Sequence, residues 1–162
     1  MACITKAVVC MRKILFVCLG NICRSPMAEF VMKKLVAEAG LENAFFIASA
    51  ATSDEERGNP VYPPARRELA SHGISCAGKT ARQITAADYN AFDVIVAMER
   101  ANLRALSRIL PGEDKTSLLL DYTDTPGDIA DPWYTGDFAA TYRQVLSGCR
   151  GLLAHLTAGC SH

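Results

Sequence analysis

One short segment, residues 14–26, constrains this chain more than any other. It opens with an apolar run that predicts a buried strand, and a helical pattern starts at Pro26. Between the two stand Cys18 and, six positions later, Arg24. A turn from a strand into a helix directs backbone N–H groups at one point in front of the helix N-terminus, where negative charge is favoured. The segment therefore predicts a loop that binds an oxyanion of phosphate size beside a thiol nucleophile.

The side chains of this loop suit that chemistry. A thiol attacks only as its thiolate, and the positive charge of Arg24 favours that form at Cys18. The planar fork of an arginine also holds two phosphoryl oxygens, which a lysine cannot do. We expect Gly20 to let the backbone approach the anion or adopt a positive φ, and Asn21 to adopt a left-handed conformation and pin the loop. The Ser25 hydroxyl can donate a hydrogen bond to the sulfur of Cys18.

Two simpler interpretations compete at this point. A lone cysteine at the end of a strand is usually a small buried hydrophobic residue. A glycine-containing turn between a strand and a helix can instead bind a nucleotide, but residues 18–26 contain neither GxGxxG nor the Gly-Lys-Ser/Thr of a Walker loop. A cysteine followed, after five residues, by arginine and serine is much rarer by chance, and its position between strand and helix favours the oxyanion loop.

Strand and helix patterns alternate along the chain. We predict strands at residues 13–18, 44–51, 92–98 and 116–120. The final helix, residues 137–156, carries apolar residues at alternating spacings of four and three. Ser25, directly before Pro26, is the predicted N-cap of the first helix. This order predicts an α/β fold with a four-stranded parallel sheet, in a flavodoxin/Rossmann-like three-layer α/β/α arrangement with the phosphate loop at the first βα turn.

Composition limits the class of protein. The 162 residues suffice for one domain, predicted at residues 12–158, behind an extension over residues 1–11 that we expect to be flexible. The 17 basic and 17 acidic residues cancel, so no excess charge points to nucleic acid. Seven cysteines do not fit a secreted disulfide framework, and three scattered histidines predict no metal site. With no apolar stretch long enough for a membrane span, we expect a cytoplasmic monomer without a cofactor.

Several motifs of this chain resemble one enzyme family. The run CLGNICRSPMAE at residues 18–29 is similar to the signature of the low-molecular-weight protein tyrosine phosphatases. The similarity continues in SAATS at 49–53, GNP at 58–60, ARQI at 81–84 and DPWY at 131–134. The resemblance implies a hydrolase that acts on phosphotyrosine proteins or small aryl phosphates and releases inorganic phosphate.

The resemblance also assigns roles in a two-step reaction that needs no metal. Cys18 is the implied nucleophile, Arg24 the group that binds the phosphate and the transition state, and Asp131 the general acid and base. Taken alone, Asp-Pro usually marks only a turn. Thiolate attack gives a cysteinyl-phosphate, which water then hydrolyses. Trp133 and Tyr134 are the implied walls of the pocket entrance. The remaining members of the phosphate loop are Leu19, Gly20, Asn21, Ile22, Cys23 and Ser25.

Cys23 has two interpretations. It can pack behind the loop as a small apolar residue. In the family that this chain resembles, the matching cysteine can form a disulfide with the nucleophile, here Cys18, and so protect it from over-oxidation. We favour redox protection as the hypothesis for this position.

The chain departs from the family pattern at two places. Where relatives often have an aromatic residue in the pocket wall, this chain has Glu55, which should disfavour acidic phosphopeptides and favour basic ones. Several relatives have a histidine before the Ala-Arg-Gln-Ile segment that helps hold the loop asparagine, whereas this chain has Lys79 or Thr80. We therefore expect Ser49 and Ser25 to carry more of the support of the loop.

Three other functions stay open on the sequence alone. An arsenate reductase shares this loop and fold, but it needs further cysteines for a disulfide relay, and Cys76 has no second cysteine nearby in the sequence. A catalytically idle phosphotyrosine-binding module is disfavoured, because Cys18, Arg24 and Asp131 are all present. A phosphatase could also act on a substrate other than tyrosine, such as a small molecule or phosphoarginine.

Overall fold

A four-stranded parallel sheet forms the centre of the chain in a computed structural model, which describes residues 11–158. Its strands are β1 (Arg12–Cys18), β2 (Phe45–Ala51), β3 (Val94–Ala97) and β4 (Thr116–Leu118). They lie in the order β2-β1-β3-β4, and every neighbouring pair is parallel. The register places Phe16 of β1 between Ser49 and Val96 of its neighbours.

Helices cover both faces of the sheet. They are α1 (Arg24–Glu38), α2 (Pro63–Ala70), α3 (Asp88–Ala91), α4 (Arg100–Ile109), α5 (Pro132–Thr135) and α6 (Phe138–Ala158). Side chains of β1 alternate between two cores because successive residues of a strand face opposite ways. Ile14 and Phe16 pack with apolar residues of α1, α2 and α6. Leu15 and Val17 pack with Leu106 of α4 and its neighbours. The predicted three-layer α/β/α fold is confirmed.

The strand order positions the first loop. The chain leaves β1 through α1 to reach β2 on one side, and β3 then pairs with β1 on the other side. The loop after Cys18 therefore lies where the order reverses, at the carboxyl end of a central strand. Ligands of open α/β sheets bind at such a point. The fold thus places the predicted phosphate loop at the position that this architecture reserves for a ligand.

Some predicted boundaries are wrong. The first helix begins at Arg24, and its N-cap is Cys23, so Ser25 lies inside the helix and does not cap it. The Ser25 hydroxyl instead contacts Cys18 and Asn21, which is a use that local capping rules do not anticipate. The fourth strand ends at Leu118, because the chain continues into a 3₁₀ helix, Leu119–Tyr122.

The last helix shows the predicted apolar stripe, which is buried from Tyr142 to Leu156. Two glycines of α6 permit a close approach of the 3₁₀ helix. A Cβ atom at Gly148 would lie 2.4 Å from the Leu119 side chain, and one at Gly151 would lie 1.9 Å from the backbone oxygen of Tyr122. These glycines therefore fix how closely α6 packs on the segment that follows β4.

Of the N-terminal extension predicted at residues 1–11, the structure describes only Met11, which is exposed. Within residues 11–158, no helix is long and apolar enough to cross a membrane.

Candidate active site

The loop after β1 surrounds the sulfur of Cys18 with hydrogen-bond donors. The backbone N–H groups of Asn21 and Ser25 lie 3.3 and 3.4 Å from Sγ. The Ser25 hydroxyl oxygen lies 3.0 Å from the same atom. Cys18 is 3 % exposed, so water has little access to this sulfur. Two backbone N–H donors and one hydroxyl group therefore converge on it.

Asn21 holds the loop in this shape. Its φ of 61° is left-handed, as predicted, and it is the only residue other than glycine with a positive φ among residues 11–158. Its side-chain nitrogen donates to Ser25 Oγ at 2.7 Å and to Ser49 Oγ at 3.0 Å. Its side-chain oxygen accepts from the backbone N–H of Arg82 at 3.2 Å. Ser49 thus contacts the loop as expected.

We predicted that Gly20 either lets the backbone approach the anion or adopts a positive φ. Its φ is not positive, so the second of these uses does not apply. A Cβ atom there would lie 3.3 Å from Cγ of Glu56, so the missing side chain makes room for that glutamate against the loop. Beside it, the Ser53 hydroxyl and backbone N–H both donate to the carbonyl of Leu19, which ties the segment after β2 to the loop.

Arg24 is buried beneath the loop and held from three directions. Its side chain is 1 % exposed. One terminal nitrogen lies 2.7 Å from a Glu99 carboxylate oxygen and donates to the carbonyl of Ile129 at 2.9 Å, and the other lies 3.2 Å from Asp131. Burial lowers the pKa of Arg24, but the negative groups of Cys18, Asp131 and Glu99 outweigh it and raise that pKa. The guanidinium is therefore always charged and fixed in orientation.

Asp131 stands at the start of the four-residue helix α5. Its carboxylate accepts from the backbone N–H of Trp133 at 3.0 Å, as an N-cap. Trp133 and Tyr134 follow, 53 % and 80 % exposed. The Trp133 ring lies 4.7 Å from the ring of Tyr62. The short helix therefore presents a carboxylate and two aromatic rings side by side.

These groups surround one cavity of about 210 Å³. Its lining contains Cys18, Leu19, Gly20, Ile22, Cys23, Arg24, Glu55, Glu56, Asp131, Trp133 and Tyr134. Cys18 and Asp131, which lie more than 100 positions apart in the sequence, thus line the same cavity. Three further predicted residues do not line the cavity. Asn21 instead donates hydrogen bonds to Ser25 and Ser49, and these bonds hold the loop that forms part of the lining. In the part of the chain that the structure describes, no group of three or more His, Cys, Asp or Glu residues could hold a metal ion.

Cys23 also lines this cavity, although it is only 5 % exposed. Burial, with a smaller contribution from Cys18, raises the pKa of Cys23 to about 12. Burial likewise raises the pKa of Cys76 and Cys149. These three side chains are therefore neutral thiols at pH 7 and poor nucleophiles.

Four residues without a predicted role also belong to the site. Glu99 pairs with Arg24, Glu56 lines the cavity, Glu29 receives the Ser49 hydroxyl at 2.5 Å, and Arg82 donates to Asn21. Of these, Glu99 offered one signal, because it directly follows the strand predicted at residues 92–98 and so sits at the carboxyl edge of the sheet. Glu29 ends the motif at residues 18–29, but no local pattern pointed to Ser49 as its partner, since a glutamate within a helix is usually solvated.

Comparison with known proteins agrees with this geometry. The sequence profile of the family described as Low molecular weight phosphotyrosine protein phosphatase matches residues 13–161. The low molecular weight protein-tyrosine-phosphatase YfkJ of Bacillus subtilis (strain 168) is 41 % identical over 151 residues, which cover 90 % of this chain and 96 % of that protein. The low molecular weight phosphotyrosine protein phosphatase of Sus scrofa is 42 % identical over 149 residues, covering 88 % and 94 %.

The backbone is similar to that of solved relatives. The crystal structure of YfkJ from Bacillus subtilis superimposes with a TM-score of 0.89 at 37 % identity, over 96 % of this chain and 99 % of the other. Family profile, relatives and backbone therefore agree over nearly the whole chain. The chain belongs to the low molecular weight phosphotyrosine protein phosphatases, which are hydrolases.

Proposed function

We propose that this phosphatase hydrolyses phosphotyrosine through a cysteinyl-phosphate on Cys18, with Arg24 and Asp131 as its partners. The observation that carries the proposal is that two backbone N–H donors and the Ser25 hydroxyl surround the Cys18 sulfur, in a cavity that Arg24 and Asp131 also line. The aromatic side chains of Trp133 and Tyr134 at the same cavity suit an aryl group.

In the first step the Cys18 thiolate attacks phosphorus. The S–P bond forms as the bond from phosphorus to the phenolic oxygen breaks, and the Asp131 carboxylic acid gives its proton to that oxygen. Arg24 and the loop N–H groups hold the equatorial oxygens, on which the charge is spread. The Arg24 guanidinium lies 3.2 Å from Asp131, so the group that binds the phosphate and the proposed acid are neighbours.

In the second step water hydrolyses the cysteinyl-phosphate. The Asp131 carboxylate takes a proton from the attacking water, whose oxygen bonds to phosphorus as the S–P bond breaks. Inorganic phosphate leaves, and the electron pair returns to the Cys18 sulfur. The Ser25 hydroxyl, 3.0 Å from that sulfur, stabilises the returning thiolate.

The alternatives have less support. A disulfide relay for arsenate reduction would need a cysteine beyond Cys18 and Cys23, and Cys76 lines a separate surface cavity with Arg66 and Arg67. An idle binding module has no need of an acid, and Asp131 lies at the same cavity as the thiol. Phosphoarginine remains the other substrate to compare, because Glu55 and Glu56 could face its guanidinium. The monomeric state and cytoplasmic location stay predictions.

The mechanism predicts how two variants behave toward p-nitrophenyl phosphate in the presence of EDTA. Cys18→Ser removes the nucleophile, so turnover falls to background. Asp131→Asn removes the acid, and we expect kcat to fall by about 10²- to 10⁴-fold. Asp128→Asn is the matched control in the same segment, because Asp128 pairs with exposed Arg100 and does not line the cavity. Turnover that survives Cys18→Ser would contradict the mechanism.

We also propose that Cys23 protects the nucleophile. Peroxide oxidises the Cys18 thiolate to a sulfenic acid, and the Cys23 thiol then displaces water from it to give a Cys18–Cys23 disulfide. External thiols reduce this disulfide by exchange and restore both cysteines. Because Cys23 is a neutral thiol at pH 7, it does not compete with Cys18 for the first oxidation. Both side chains line the same cavity as free cysteines.

If Cys23 protects Cys18, the Cys23→Ser variant should recover less activity after oxidation than wild type does. After brief peroxide treatment, wild-type activity should return with dithiothreitol, whereas the variant should recover only a minor part because its sulfenic acid oxidises further. Cys76→Ser is the matched control at a buried cysteine outside the cavity. Equal recovery by Cys23→Ser and wild type would reject the role.

Glu55 is the residue that we propose determines which phosphopeptides the enzyme prefers. It is exposed and lines the cavity, whereas relatives often have an aromatic wall at this place. Its carboxylate should repel acidic residues next to the phosphotyrosine and attract basic ones. We propose that Glu55 selects phosphotyrosines with basic flanks.

This selection is measurable with two phosphopeptides, one with basic and one with acidic flanks. Glu55→Ala should reduce the kcat/KM ratio of basic to acidic peptide by about 3- to 10-fold at low salt, a modest change because the side chain is exposed. Asp54→Ala serves as control, because Asp54 pairs with Arg57 and does not line the cavity. An unchanged ratio in Glu55→Ala would refute the selection.

A further inference from the structure

Tyr62 stands beside the phosphate loop, at the start of α2. It is the N-cap of this helix, and Pro63 and Pro64 follow it. A residue before a proline is restricted to extended backbone, and Tyr62 has a φ of −57° and a ψ of 133°. Its backbone N–H donates to the carbonyl of Ile22 at 2.9 Å, and Ile22 lines the cavity. The backbone of Tyr62 is therefore fixed relative to the phosphate loop.

The half-buried Tyr62 side chain contacts two other aromatic rings. The centroid of its ring lies 4.7 Å from that of Trp133, and the two ring planes are tilted by 48°. The ring of Phe138, at the start of α6, lies 6.0 Å away. Within residues 11–158 the Tyr62 hydroxyl makes no hydrogen bond, so this side chain acts through its ring.

Trp133 has one aromatic contact that orients it. It lines the cavity from the four-residue helix α5, and 53 % of its surface is exposed. In the part of the chain that the structure describes, Tyr62 is the only aromatic ring against the indole, and the indole N–H donates to no residue. The orientation of the Trp133 ring therefore depends on the ring of Tyr62.

This orientation matters because the lining offers few aromatic side chains. Glu55 stands where relatives often have an aromatic residue, so Trp133 and Tyr134 are the aromatic members of the lining. Tyr134 is 80 % exposed and contacts no other aromatic ring among the described residues. The attraction between two aromatic rings depends on their relative orientation. An aryl group in the cavity would thus gain most from the ring that is held in place, which is Trp133.

We propose that Tyr62 is a positioning residue that gives the cavity its selectivity for aryl phosphates: its ring holds the Trp133 indole at the cavity, where the indole packs against the aryl group of the substrate. The inference rests on the proposed function, because it takes the aryl group of phosphotyrosine to lie against Trp133. Tyr62 itself does not line the cavity, so its effect passes through Trp133.

The test compares the binding of benzylphosphonate and methylphosphonate, which share the phosphonate and differ in the phenyl ring. Calorimetric titration gives both Kd values for wild type, Tyr62→Leu and Tyr62→Phe. Wild type should bind benzylphosphonate more tightly. In Tyr62→Leu the ratio of the methylphosphonate Kd to the benzylphosphonate Kd should fall by about 3- to 10-fold, the range expected for one aromatic pair. Tyr62→Phe keeps the ring and should keep the wild-type ratio.

Two further variants separate positioning from packing. Phe138→Leu removes the other ring that Tyr62 contacts and leaves the pair of Tyr62 and Trp133, so it should not change the ratio. Trp133→Leu lacks the indole, so adding Tyr62→Leu to it should lower the ratio no further. An equal fall in Phe138→Leu, or a further fall in the double variant, would overturn the proposal. Both ligands are titrated into the same protein, so any fraction that fails to fold cancels in the ratio.

The emission of Trp133 reports its contact with Tyr62 without a ligand, because the chain contains one tryptophan. Tyr62→Leu should move this emission to longer wavelength and increase its quenching by acrylamide, whereas Tyr62→Phe should do neither. Neither measurement needs turnover, so a wild type that fails to hydrolyse phosphotyrosine would reject the proposed function and still give a readable ratio. An unchanged ratio in Tyr62→Leu, or a wild type without preference for benzylphosphonate, would overturn the role of Tyr62.

Discussion

The buried guanidinium of Arg24 is the charge on which the rest of the site depends. A cation whose side chain is 1 % exposed must be compensated in place, and here Glu99, Ile129 and Asp131 do so. Those partners come from the end of β3 and from the segment before α5, so the same contacts tie these two parts of the chain to the first turn of α1. The phosphate loop is therefore a consequence of tertiary structure as much as of its own sequence.

This arrangement links binding to chemistry. Arg24 lies 3.2 Å from Asp131, so the buried guanidinium and the proposed acid are neighbours in one site. On the other side of the loop, hydrogen bonds run from Glu29 through Ser49, Asn21 and Ser25 to the sulfur. Arg24 thus lines the cavity side of the loop, and Glu29 lies behind the loop. Both are buried, which strengthens their electrostatic effect.

The features that could be predicted from the sequence are those that depend on local residue patterns. The alternation of elements predicted the parallel sheet, and the loop chemistry predicted the left-handed Asn21 and the contact of Ser25 with Cys18. It could not predict partners that only tertiary packing brings close, such as Glu99 for Arg24. The capping rule failed at Ser25 because the hydroxyl that would cap a helix is used by Asn21 and Cys18. Local propensity yields to such contacts wherever a functional site demands them.

The most direct test of this account is calorimetric titration of inorganic phosphate into wild type and Arg24→Lys at pH 6, with Arg100→Lys as an exposed control. Lysine keeps the charge and loses the fork, so the account predicts that Kd rises about 10- to 100-fold in Arg24→Lys alone. Phosphate bound equally well by Arg24→Lys would contradict the claim that this buried guanidinium organises the site.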